Sequence, residues 1–164
     1  NAVENLAALA KMKPPLRSAK DKAALQAALA EGVIDIIATD HAPHTEAEKS
    51  GGFAGAPFGV VGLETAFPVL YTYLVEAGIL TIEQLVDRLS CRPAAVFRLP
   101  GGTLKPGGPA DVTVFDLRHQ FIIDRERFYS KGRNTPFHAL TVRGRPVLTM
   151  VEGKIVMRDG QVLF

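Results

Sequence analysis

A single cysteine, Cys91, stands in the 164 residues. It has no partner for an internal disulfide, which excludes a disulfide-stapled scaffold and fits a reducing, cytoplasmic compartment. With no histidine or general base beside it in sequence, it reads as a buried, inert thiol. Net charge is equally scarce, since 19 basic residues against 17 acidic leave only +2. So even a balance excludes the basic face of a nucleic-acid-binding domain. No apolar run approaches the about 18 residues of a membrane span, and no basic, apolar, small-residue signal opens the chain. The first residue is Asn1, not methionine, so the expectation is a piece of a longer protein. What is present is a soluble globular balance, 47% hydrophobic and 22% charged, with length for one ordinary domain or two small ones.

The order of elements can be read from periodicity and breakers. "NAVENLAALAKM" has helix-like spacing but runs into Pro14 and Pro15, which predicts an extended loop. Ser18 and Asp21 form a capping signature for a helix through "KDKAALQAALAE", with Ala24, Leu25, Ala28 and Leu29 on one face and Gly32 as its stop. "VIDIIA" (33–38) has the composition of a strand buried on both faces of a parallel sheet. "SGGFAGAPFGVV" (50–61) is a Gly- and Pro-rich loop. "GLETAFPVLYTYLVEAG" has helical spacing at Leu63, Phe67, Leu70, Leu74 and Ala77, closed by Gly78. Thr81 and Gln84 open a further helix, and Ser90 and Pro93 a short one. From Pro100–Gly102 onward glycine and β-branched residues dominate. Residues 103–164 are expected as mainly antiparallel strands, with "VEGK" and "RDGQ" as turns.

The stretch "ATDHAPHTEAEK" (38–49) directly follows the apolar run. Catalytic groups gather in loops beyond the carboxyl ends of parallel strands. Asp40 is a hard oxygen donor and a proton carrier, and His41 and His44 are of the residue type that commonly binds zinc. Pro43 stiffens the link between the two rings. A Thr-Asp pair after a strand can also be a plain turn, and a loop histidine a solvated one.

Five segments, "KMKPPLR", "IDIIATDHAPH", "PFGVVGLETAFP", "GGTLKPGGPADVTVFD" and "SKGRNTPF", together resemble dihydroorotases of the amidohydrolase superfamily over essentially the whole chain. "TDHAPH" with "GLETA" is the specific part; "PPLR" is shared with hydantoinases and allantoinases. The resemblance implies an α/β fold: residues 1–100 as the C-terminal part of a (β/α)8 TIM barrel and 101–164 as a segment of a small composite β domain. It implies an enzyme with two zinc ions that reversibly cyclises N-carbamoyl-L-aspartate to dihydroorotate in pyrimidine biosynthesis. It implies a cytoplasmic homodimer associated with aspartate carbamoyltransferase, with neither nucleic acid nor membrane as partner. Asp40 takes the place of a zinc ligand and acid/base, and His44 that of a contact to the substrate carboxylate. Phe58 and Gly59 take the place of a backbone contact to the ring. His41 is expected to orient the loop.

The chain also departs from that pattern. It has four histidines, His41, His44, His119 and His138, and no His-x-His pair. A (β/α)8 barrel takes about 250 residues. The other metal ligands are therefore absent, and the segment alone is expected to be inactive. Lys13 stands where the family carries an asparagine that reaches substrate; lysine adds a charge and offers no acceptor. Arg17 is expected in a structural ion pair, and Arg92 to act on a helix start. "GGTLKPGG" has the glycines of a phosphate loop without its G-K-[ST] ending, and reads as a turn. The basic run at 124–134 reads as a solvated loop, and "SKGRNTPF" as packing of the β domain on the barrel. Two rival functions stay open: a non-catalytic subunit supporting a partner enzyme, and a related cyclic amidohydrolase such as a hydantoinase or allantoinase.

Overall fold

A computed structural model describes residues 7–163. Helix α1 (Ala19–Ala30) forms where the cap signature places it. The Ser18 N–H and hydroxyl donate to Asp21 Oδ2 at 3.1 and 2.8 Å, and the Asp21 N–H donates back to Ser18 Oγ at 3.2 Å. Gly32 follows with φ 81°, a left-handed angle that suits glycine. Of the expected apolar face only Leu29 is buried, because no described element covers Ala24 and Leu25. Arg17 pairs with Asp21 at 3.5 Å. Residues Ala7–Ala10 make a short 3-10 turn where an extended loop was expected; the start of that stretch lies outside the described residues.

The strand expected at 33–38 does not form. The Val33 and Ile34 N–H groups return to the Ala28 carbonyl, and the Ile37 N–H donates to the Arg88 carbonyl. A strand exists only where a neighbour takes its ladder of backbone groups, and no described segment does so here; Val33 is 72% exposed. Parallel pairing occurs at one isolated point just beyond, between His41 and Val60.

Two short helices follow, α2 (Glu46–Lys49) and α3 (Gly52–Gly55). The "GLETAFP" stretch starts as a 3-10 turn (Leu63–Thr65), becomes α4 (Ala66–Leu70) and widens into a π turn (Tyr71–Val75). Helix α5 (Ile82–Val86) carries the predicted cap: the Thr81 N–H donates to Gln84 Oε1 at 2.8 Å and the Gln84 N–H to Thr81 Oγ1 at 3.2 Å. It runs through a second π turn (Asp87–Cys91) into α6 (Arg92–Phe97). Ser90 therefore opens no new helix. The buried stripe passes through Leu85, Arg88 and Ala94. Cys91 falls off that stripe and is exposed, contrary to its expected burial. Arg92, the first residue of α6, is held by Asp87 at 3.4 Å and Asp35 at 3.7 Å.

The C-terminal stretch gives a four-stranded sheet in the order β1 (Val112–Ile122), β2 (Thr141–Val151), β3 (Lys154–Arg158), β4 (Gln161–Val162). The β2–β3 and β3–β4 pairs are antiparallel, with a bulge at Thr149/Met150. Both two-residue turns have positive φ at each centre: 49° and 78° at Glu152–Gly153, 50° and 84° at Asp159–Gly160. That is the type I′ turn which suits the twist of a hairpin.

The chain groups into two compact units. One comprises Asn1–Leu25, Thr39–Phe67 and Ile122–Thr141; the other Gln26–Ala38, Pro68–Phe121 and Val142–Phe164. The first buries Ala8, Ala10, Ala56, Val61 and Ile123 together with Lys11, Lys49, Thr65, Asn134 and Thr135. The second buries Leu29, Leu80, Leu85, Ala94 and Val142, with Arg88.

Candidate active site

All the geometry that follows lies in the first unit. Asp40 takes a left-handed backbone angle, φ 44°, which aspartate tolerates better than most residues. It is exposed, and its carboxylate makes no hydrogen bond or ion pair with any described residue. The next residue is pinned. His41 Nδ1 accepts the Gly62 N–H at 3.1 Å and the Leu63 N–H at 3.3 Å, so the ring proton sits on Nε2. Ala42 donates its N–H to the Val60 carbonyl at 2.9 Å.

His44 is half-buried. Its Nε2 lies 2.9 Å from the Phe58 carbonyl oxygen; a carbonyl only accepts, so Nε2 carries the proton. Nδ1 faces the Glu48 carboxylate at 3.7 Å. Thr45 caps α2 in reciprocal form. Its N–H and hydroxyl donate to Glu48 Oε2 at 2.7 and 2.9 Å, and Glu48 N–H donates back at 3.2 Å. These bonds hold the Glu48 carboxyl below its ordinary 4.5. The Thr45 N–H contributes most, then its hydroxyl, then the charge of His44.

The facing segment, 57–62, is set by glycine and lysine. Gly59 has φ 117°, and its N–H donates to the Lys11 carbonyl at 2.9 Å. A Cβ there would stand 2.5 Å from Ala42 Cβ and 3.4 Å from His44 Nε2. Lys11 is buried. Its Nζ donates to the Ala54 carbonyl at 2.9 Å and sits 4.7 Å from the centre of the Phe58 ring and 5.7 Å from that of Phe53, a favourable cation–π arrangement. Lys49, also buried, donates to the Pro57 carbonyl at 2.8 Å. Burial pushes its ammonium below the ordinary 10.5, helped by the charge of Lys11.

Sequence reasoning missed two ties. The buried Asn134 carboxamide accepts the His44 N–H at 2.9 Å and donates to the Ala42 carbonyl at 2.9 Å and the Gly59 carbonyl at 3.2 Å. Its own carbonyl accepts the Val61 N–H at 3.0 Å. Glu64 accepts the N–H groups of Tyr129 and Ser130 at 2.9 and 3.0 Å. The signals were "SKGRNTPF", which reads as packing of the β domain on the barrel, and "GLETA", which reads as a family motif. "SKGRNTPF" belongs to the same compact unit as the Asp-His-Ala-Pro-His loop.

The structure thus brings His44, Phe58 and Gly59 together. No hydrogen bond or ion pair joins the Asp40 or Lys13 side chain to them. Lys13 is exposed, and its side chain bonds to no described residue. Among the described residues no group of three or more His, Cys, Asp or Glu could hold a metal ion. His41 Nδ1 and His44 Nε2 are engaged with backbone groups, so Asp40 is the one open oxygen donor of the motif. This donor set does not by itself form a metal centre. No described helix is long and apolar enough to cross a membrane.

Comparison with known proteins gives these residues a family. A match to the amidohydrolase family covers residues 5–156, and the chain belongs to that family. Among curated proteins, a dihydroorotase of Brevibacillus brevis (strain 47) is 56% identical over 156 residues, 95% of this chain and 37% of that protein. A dihydroorotase of Anoxybacillus flavithermus is 57% identical over 92% of this chain and 35% of its own length, and that of Bacillus subtilis (strain 168) 51% over 93% and 36%. Among solved structures, the L-hydantoinase (dihydropyrimidinase) of Arthrobacter aurescens superposes with TM-score 0.94 at 36% identity. That match covers 99% of this chain and 37% of that one. A D-hydantoinase from Thermus sp. gives TM-score 0.84 at 32% identity over 95% and 35%. The chain spans about a third of the length of these relatives. The mixed α/β fold expected of part of a barrel amidohydrolase is the fold found.

Proposed function

We propose that this chain is part of a zinc-dependent dihydroorotase, a hydrolase of a cyclic amide bond that interconverts N-carbamoyl-L-aspartate and dihydroorotate. One observation carries the reading. The Asp-His-Ala-Pro-His loop and the Phe58–Gly59 segment are clasped together in a chain that is more than half identical to proteins named dihydroorotase. Residues 1–100 then belong to the (β/α)8 barrel and 101–164 to the β domain, and the remaining metal ligands come from other parts of the complete protein. The enzyme is cytoplasmic and homodimeric, associated with aspartate carbamoyltransferase.

The roles follow from what each group has free. Asp40 is the zinc ligand this chain supplies. A zinc ion held by Asp40 together with ligands from the rest of the protein would supply Lewis-acid chemistry, polarising a carbonyl and acidifying a bound water. An unpaired carboxylate beside it can accept a proton on Oδ and return it to the ring nitrogen as the amide bond breaks. His44 points its Nε2 proton at the Phe58 carbonyl and its Nδ1 at Glu48, so it holds a substrate carboxylate by exchanging one of these partners. Phe58 and Gly59 supply the main-chain contact to the ring; each of their carbonyls accepts one hydrogen bond here and keeps a second lone pair. Lys13 supplies a cation where the family has an amide.

The test compares ring opening and closure by the full-length protein on carbamoyl-aspartate/dihydroorotate, hydantoins and allantoin. The proposal expects the first pair to give the highest kcat/KM by a wide margin. Preference for hydantoin or allantoin contradicts the substrate. No turnover with less than one zinc per chain contradicts the enzyme and leaves a supporting subunit.

A further inference from the structure

We propose that Asn134 is a positioning residue for substrate binding, an inference that rests on the dihydroorotase reading above for its kinetic arm. Three of its polar groups make four bonds, and all four reach the two segments that carry His44 and Gly59. Its Oδ1 takes the His44 N–H, its Nδ2 holds the Ala42 and Gly59 carbonyls, and its own carbonyl takes the Val61 N–H. Asn134 is 3% exposed, so these bonds do not compete with water, and a buried polar group stripped of its partner is costly. This one side chain is therefore bonded to both the imidazole loop and the segment facing it, and helps to set the gap between them. The fit is close on the far side as well, since a Cβ on Gly132 would stand 2.8 Å from Asn134 Oδ1 and 2.7 Å from Pro43 Cβ. The His44 Nε2–Phe58 contact of 2.9 Å crosses the same gap, as do the bonds of His41 Nδ1 to the Gly62 and Leu63 N–H groups. Asn134 touches neither Asp40 nor any reacting atom in this arrangement. Its loss should move binding, not the chemical step.

Aspartate at 134 keeps the shape and the acceptor for the His44 N–H, but loses both donors and sets negative charge against two carbonyl oxygens. In the full-length enzyme, Asn134→Asp is expected to raise KM for carbamoyl-aspartate about tenfold while kcat stays within about threefold, the signature of lost uniform binding. Zinc content should match the wild type. Unchanged KM in the folded variant, or a loss confined to kcat, overturns the proposal. A second readout needs no activity. Asn134→Ala removes the acceptor for the His44 amide, so hydrogen exchange there should speed at least about tenfold, while Asn134→Asp leaves it protected. An unchanged His44 amide in Asn134→Ala overturns the positioning role. A wild-type protein that ignores carbamoyl-aspartate overturns the dihydroorotase reading instead, and the exchange result then decides Asn134 alone.

Discussion

The loops around His44 and the β2–β4 meander are held together by different means. The meander is a backbone ladder closed by two type I′ turns, with side-chain bonds from Asp111 and Arg145 added at the turns. The loops have almost no ladder. Side chains hold their backbone, Asn134, Lys11 and His41 from distant sequence and Lys49 from nearby, while Glu64 holds the 129–130 segment. A ladder fixes a segment by many equivalent bonds of about 1 kcal/mol each, so no single one matters greatly. A loop fixed by a few buried side chains concentrates its stability in those residues. That suits a site, because it holds the backbone in conformations no regular element would allow, such as φ 44° at Asp40 and 117° at Gly59.

Substitutions in the full-length protein sharpen this contrast. Gly59→Ala should be the most damaging, costing on the order of 3 kcal/mol through strain at positive φ and overlap with Ala42. Its midpoint in urea should fall accordingly. Glu64→Ala strips a charged acceptor from two N–H groups and should cost about 1.5 kcal/mol by the same measurement, discounted because the site is exposed. Gly153→Ala, in the meander, meets only Ala110 Cβ at 3.9 Å, so strain alone remains, about 1 kcal/mol. Equal costs at Gly59 and Gly153 would break the contrast.

The smallest effect is on pH. The Glu48 carboxyl is depressed in the folded protein, so its contribution is present above its unfolded value and lost as pH falls through the lower folded one. Stability monitored below about pH 4.5 should therefore fall more steeply in the wild type than in Glu48→Gln. Parallel acid profiles would show that the Thr45–Glu48 bonds contribute nothing.

The same contrast explains what the sequence made legible. The β hairpins, the Ser18–Asp21 and Thr81–Gln84 caps and the stop at Gly32 are local: residues two to four apart decide them, so spacing reveals them. Thr45-x-x-Glu48 carries the same capping signature in plain view. The Asn134–His44 bond spans 90 residues, and no periodicity encodes it. Composition alone predicts a strand at 33–38, while a strand also needs a neighbour. The two π turns each add a residue to a helix, which smooth apolar spacing does not register. Residue type and resemblance point to Asp40, His44, Phe58 and Gly59; that His44, Phe58 and Gly59 meet is visible only in three dimensions.

The most direct test of the account is turnover of carbamoyl-aspartate by Asp40→Ala in the full-length protein, read beside its thermal unfolding. The expected result is a kcat reduced by about 10²-fold or more with the unfolding transition intact. A rate near that of the wild type would contradict the role given to this carboxylate and, with it, the site.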